Sequence, residues 1–209
     1  KVSGEYQDES TYKGRRTTWG FLFGVAYSAY NPDDYEPDFA PAQTLKDYYG
    51  SPESPLSEIS FGPKVNFSFM SAALEFGAGY YQNTAQSGST LTLYPIRSGL
   101  TLALDGMFQE PYIVPYVTVG MQTIIYKEQL ASIAVNGRSR PSLYYALGLR
   151  FQLDWLDDDG DVSSFEEQGM ENTFLVAEAR RFMNDGSRYD LGSPAGAHYQ
   201  AGVGLVFEF

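Results

Sequence analysis

Hydrophobic residues fall on every second position along much of this chain, most clearly from 58 to 69. There Ile59, Phe61, Pro63, Val65, Phe67 and Phe69 share one parity, while Glu58, Ser60, Gly62, Lys64, Asn66 and Ser68 take the other. A period of two is that of a strand with two unlike faces, because successive side chains leave the pleat on opposite sides. The C-terminal run repeats it, with Tyr199, Ala201, Val203, Leu205, Phe207 and Phe209 opposed to His198, Gln200, Gly202, Gly204, Val206 and Glu208. Segment 142–155 sets Leu143, Tyr145, Leu147, Leu149, Phe151, Leu153 and Trp155 against Tyr144, Ala146, Gly148, Arg150, Gln152 and Asp154. Less regular alternation marks 17–30, 72–81, 91–105, 112–126 and 172–183, which brings the predicted strands to eight. In 172–183 the pattern does not orient the strand, since Glu178 and Arg180 share a parity with Phe174 and Val176.

These segments are long for a soluble sheet, where strands run to about five or six residues. They match the roughly 9 to 11 residues, plus rims, that a tilted strand needs to cross hydrocarbon. The connections alternate in length. Segments 31–57, 82–90, 127–141 and 184–196 are long and would lie on the outer side, whereas Met70 and Ser71, and 106–111, make short turns. Segment 156–171 is the exception: after Asp157, Asp158, Asp159, Gly160 and Asp161 it places Ser163 and Glu166 at capping-box spacing, which predicts a short helix in one periplasmic turn. Trp19, Tyr30, Tyr94, Tyr126, Trp155 and Tyr199 stand near strand ends, where aromatic girdles belong. The prediction is an all-β chain: a single eight-stranded antiparallel transmembrane β-barrel over 17–209, preceded by a polar leader over 1–16.

Composition supports sheet over helix, with 17 Tyr, 14 Phe and 21 Gly among 209 residues, and no apolar run is long enough for a membrane helix. The absence of cysteine removes disulfides and thiol chemistry. A net charge of −12 with scattered basic residues excludes nucleic acid as a partner.

In such a barrel the polar parity points inward. The lumen is therefore expected to hold a charge network of Lys64, Glu75, Arg97, Arg150, Asp154 and Glu208, joined by Glu58, Asp105 and Gln152. An eight-stranded ring leaves room for little beyond side chains, so these ions are expected to pair with one another. The lipid-facing row is expected to include Phe61, Val65, Phe67, Leu147, Leu149, Phe151, Val203, Leu205 and Phe207. Gly77, Gly79, Gly148, Gly202 and Gly204 fall on the inward parity, where close neighbours need a missing side chain. The lone histidine, His198, lies in the context Ala197, Tyr199, Gln200, without the serine two residues on that a deacylase barrel would place beside its base. The acidic run resembles a calcium loop only in part, because its first ligand position would be Trp155. No catalytic constellation, metal or cofactor is predicted.

The terminal stretch Gly202, Val203, Gly204, Leu205, Val206, Phe207, Glu208, Phe209 resembles that of the OmpA and OmpW-like class of bacterial outer-membrane barrels. In that class Phe207 and Phe209 would form the signal read by the barrel-assembly machinery. The stretch from Leu149 to Arg180, with Asp154, Leu156, Gly169, Asn172 and Glu178, resembles the PopA-type porin-like proteins of predatory deltaproteobacteria. That resemblance implies a homo-oligomeric ring. The expected role is a structural or interaction barrel with a polar plugged lumen, not an enzyme, lying among membrane lipid and lipopolysaccharide. The alternative is a small pore or transporter for small solutes.

Overall fold

Alternating aromatic and β-branched residues form nine strands in a computed structural model, which describes residues 11–29, 37–40, 43, 45–50, 55–153, 169–183 and 199–209. They are β1 (Trp19–Ala29), β2 (Pro55–Asn66), β3 (Ser71–Thr84), β4 (Thr90–Ala103), β5 (Ile113–Leu130), β6 (Ile133–Arg138), β7 (Ser142–Gln152), β8 (Asn172–Phe182) and β9 (Tyr199–Glu208). Two short helices, α1 (Tyr12–Arg15) and α2 (Leu45–Tyr49), complete the described elements. The predicted helix of 156–171 lies outside the described residues except at 169–171.

Apart from β6, each strand pairs antiparallel with the next, β5 pairing with β7, and β9 returns to β1 to close the ring. The seam is tied by Phe21 N–H to Phe209 C=O at 2.6 Å and by Phe209 N–H to Phe21 C=O at 2.9 Å. β6 is not a stave: it pairs only with the outer part of β5, from Ile125 to Leu130, so eight strands make the wall. The register that leaves β4 at Ala103 runs through Tyr116, Gly148, Glu178, Gly202, Ser28 and Leu56 and regains β4 at Leu93, a stagger of ten residues. Stagger and strand tilt are linked, and a ring of this number closes around an interior of side-chain width.

The parities are those of the sequence. Phe61 (49% exposed), Leu147 and Leu149 point outward, and so does Val203, while Glu58, Lys64, Arg150 and Glu208 are buried. Val65, Phe151, Leu205 and Phe207 are half-buried on the same outer wall. Aromatic pairs brace that wall, with Phe61 between Phe21 at 6.4 Å and Phe76 at 6.1 Å. So wide an apolar exterior around a charged interior inverts a soluble protein and is the wall of a transmembrane barrel. β8 is now oriented: Asn172, Phe174, Val176, Arg180 and Phe182 are buried inside, whereas Leu175, Ala177 and Ala179 are exposed.

Several boundaries differ from the sequence prediction. β2 ends at Asn66, and residues 67–70 make the turn, closed by Phe67 N–H to Met70 C=O at 2.8 Å. Phe67 therefore stands at the rim of the barrel and not in a membrane-crossing strand. Segment 127–141 is not an open loop, because its backbone groups pair as the β5–β6 hairpin. Tyr126 belongs to no girdle; it is only 5% exposed and packs inside with Tyr81, Leu91, Leu93 and Tyr49 at the outer end of the lumen. Trp19 and Tyr94 do face outward near strand ends, at 70% and 42% exposed. Residues 11–16, predicted as the end of a polar leader, are packed against the mouth of the barrel beside the 67–70 turn, and Tyr12 and Arg15 are buried.

Phe61 lies near the middle of β2, so Phe61→Arg is expected to lower stability by about 2 to 4 kcal/mol, whereas Trp19→Arg at the rim should cost about 0 to 1. Urea unfolding in lipid vesicles measures both, and equal costs would contradict this placement of the wall.

Candidate functional site

Seven strands and one helical turn contribute to a buried ionic network in the lumen. Toward the end of the barrel that carries the 67–70 turn, Lys64 of β2 reaches two carboxylates, Glu171 at 2.9 Å and Glu208 of β9 at 3.0 Å. Arg150 of β7 donates to the other oxygen of Glu208 at 3.0 Å and comes within 3.9 Å of Glu75 on β3. Glu208 accepts a third partner, the Tyr12 hydroxyl, at 2.8 Å. Toward the barrel centre Glu58 lies 3.1 Å from Arg97 of β4 and 3.1 Å from Arg180 of β8, which also holds Glu178 at 2.6 Å. Tyr116 of β5 donates to Glu178 at 2.9 Å. Such pairing is a condition of burial, since an unpaired ion in low dielectric costs several kcal/mol.

Tyr12 comes to the lumen because Thr11 caps a single helical turn, its hydroxyl accepting from Gly14 N–H at 3.2 Å. The turn is anchored all round the mouth. Tyr12 N–H donates to Glu110 at 2.8 Å, and Lys13 N–H to Gln109 C=O at 3.1 Å. Arg15 bonds the Glu171 carbonyl at 3.2 Å, while Arg16 bridges Asn66, Met70 and Asp105. The Tyr12 ring meets Phe174 edge-on at 6.2 Å. Burial first, and the Glu208 and Asp105 carboxylates next, push the Tyr12 phenol well above its ordinary range, so it remains a donor. Burial and then the Glu208 carboxylate also raise the Asp105 carboxyl, outweighing Arg16, a Ser71 hydrogen bond and Lys64.

Two inward glycines are required by this packing. A Cβ on Gly148 would lie 2.4 Å from the Tyr116 ring, and one on Gly77 would lie 2.7 Å from Arg97. Each faces its bulky neighbour directly across a strand pair. A cavity of about 50 Å³ lies among Glu58, Arg97, Arg150, Glu178 and Arg180, room for a few waters.

The structure brings Lys64, Glu75, Arg97, Arg150 and Glu208 together with Glu58 and, through the Tyr12 hydroxyl, Asp105. Asp154, Trp155, the acidic run and His198 lie outside the described residues. Periodicity missed Tyr12, Arg15, Arg16 and Glu171, which sit in no strand. Glu178 and Arg180 could not be placed from the pattern, because both parities of β8 carry charge, the other one through Arg181 beyond Leu175, Ala177 and Ala179.

No protein-family model matches this chain, and neither does any curated protein. Among solved structures it is similar to the N-terminal β-barrel domain of OprF from Pseudomonas aeruginosa, at 14% identity and a TM-score of 0.43, covering 92% of this chain and 98% of that one. Neisserial surface protein A shares 14% identity with a TM-score of 0.48, over 92% of this chain and 96% of its own. The attachment invasion locus protein Ail of Yersinia pestis shares 12% with a TM-score of 0.44, over 91% and 97%.

Glu208→Gln leaves Lys64 and Arg150 short of a counter-charge and is expected to cost about 3 to 5 kcal/mol in a urea titration; a loss under about 1 kcal/mol would deny the network a structural part. The raised Asp105 carboxyl keeps its proton longer in the folded barrel than in the unfolded chain. Its contribution is therefore fully present below the unfolded carboxyl range and is lost as pH rises through the raised value. Asp105→Asn should flatten that fall in stability, read from unfolding midpoints across the mildly acidic range.

Proposed function

We propose that this chain is a bacterial outer-membrane barrel whose lumen is plugged by its own side chains and which acts through its surfaces, in a structural or interaction role. The observation that carries this is the state of the lumen along its length. At the outer end Tyr49 of α2 packs with Leu91, Leu93 and Tyr126; the centre is ion-paired; the periplasmic end holds Tyr12 with Phe174 and Val176. A solute path through the centre would have to displace the paired charges that line the cavity of about 50 Å³.

The outer membrane is proposed because the chain crosses as a closed antiparallel sheet with an apolar outer wall, the form in which strands can span a membrane with every backbone group paired. Phe207 and Phe209 stand at the end of the closing strand, where an assembly machinery reading the last strand would find them. The PopA-type resemblance supports a lipid-embedded homo-oligomeric ring, with the apolar wall as the surface between copies and lipopolysaccharide around it.

Planar-bilayer recordings of the full chain are expected to show no steady current. An ohmic current that scales with salt would favour the alternative, a small pore fed through the central cavity. Crosslinking in membranes should give bands at multiples of 23.3 kDa, and a strictly monomeric species would remove the ring.

A further inference from the structure

The described cations divide sharply by place. Those in the lumen and at its periplasmic mouth all have acceptors, down to Lys13, whose ammonium reaches the Gly106 carbonyl at 3.3 Å. On the outer side Arg181 donates to the Tyr145 hydroxyl at 3.3 Å. Lys127, Arg138 and Arg140 differ: all three are exposed, and none of their side chains makes a hydrogen bond or ion pair with a described residue.

Their location is fixed by register. Ile125 of β5 pairs with Tyr94 on one side and with Arg138 on the other. Residues directly opposite in antiparallel strands share a face, so Arg138 projects from the outer wall beside Ile125 and Tyr94, which are 43% and 42% exposed. Lys127 is the next outward residue up β5, opposite Asn136, and Arg140 follows two residues after Arg138. Tyr94 marks the headgroup level at this part of the ring, so Arg138 stands at that level, Lys127 just above it, and Arg140 just below it, where the chain descends from β6 to Ser142 opposite Gln122. Below them the wall is apolar, through Ile125, Met121 and Leu143. No acid stands on the outward faces of β5, β6 or β7; Glu128 of β5 is fully buried and turned inward to the backbone of Asp38 and Phe39.

We propose that Lys127, Arg138 and Arg140 form a site for the phosphate groups of a phosphorylated outer-leaflet lipid, whose acyl chains lie along Ile125, Met121 and Leu143. The site rests on the outer-membrane reading and names the lipid partner within it. Cations at the top of an apolar wall reproduce the anatomy of such a lipid, with phosphate above and hydrocarbon below. Guanidinium groups take phosphate oxygens in pairs, and an ammonium adds a point charge. The chain as a whole carries −12, so it repels anions in general and a local cation cluster must supply the attraction.

The test uses the full chain in detergent micelles, with purified lipid A and with phosphatidylcholine as probes, read by native mass spectrometry. The folded barrel is expected to retain lipid A in preference to phosphatidylcholine and to lose that preference in high salt. Lys127→Gln/Arg138→Gln/Arg140→Gln should retain lipid A at least about tenfold less well, while Lys127→Arg/Arg138→Lys/Arg140→Lys keeps it, heat-dependent gel mobility reporting that both are folded. Wild-type retention in the glutamine variant, equal retention of both lipids, or a preference for a soluble anionic polysaccharide would overturn the site. A chain that stays dispersed without detergent would instead overturn the membrane reading beneath it.

Discussion

Inside a bilayer no water reaches a backbone N–H or C=O, so a sheet that crosses it has to end on itself. Here that closure is made by β9 returning to β1, with Phe21 and Phe209 exchanging both backbone hydrogen bonds at one end of the seam. Everything else follows from the closed ring. Its outer wall meets acyl chains and carries Phe61, Leu147 and Val203, and its inner wall becomes the place where a charged side chain can be kept.

The inner wall is narrow, and that sets the second condition. Eight staves with a stagger of ten residues leave side-chain width, so ions on facing strands meet whether or not a partner lies near in sequence. Glu208 shows the result: it gathers Lys64 from β2, Arg150 from β7 and the Tyr12 hydroxyl from α1. Removing one member would strand the others in low dielectric, which is why such a network acts as a unit. Bulk is fitted by the same logic, with Tyr116 lying over Gly148 in the strand beside it.

The two ends are built differently. At one mouth a single helical turn is tied to neighbouring segments by backbone and side-chain bonds. At the other end β4, β5 and β6 rise above the apolar wall, and α2 packs its Tyr49 into the inner face of β4 and β5. The inward residues of β4 and β5 there, Leu91, Leu93, Tyr126 and Glu128, are buried, and the outward ones include three cations with no partner among the described residues. A barrel sealed within and charged at its outer shoulder is suited to contacts around it rather than traffic through it.

Period-two alternation fixed the strands, their inward and outward faces and the inward set Lys64, Glu75, Arg97, Arg150 and Glu208, because facing in a pleated sheet is a local property of parity. The same rule failed where a parity was chemically mixed, in 172–183, and where no strand existed to impose one. Tyr12 and Glu171 lie in segments with no period, so their burial depended on where the ring's mouth came to stand. Strand ends were likewise hidden: Phe67 continues the parity of β2 but sits in its turn, and 127–138 reads as loop although it folds back on β5. Which cation meets which carboxylate was decided only by the tertiary structure, since it follows from ring stagger, a sum over all eight pairings that no single stretch of sequence contains.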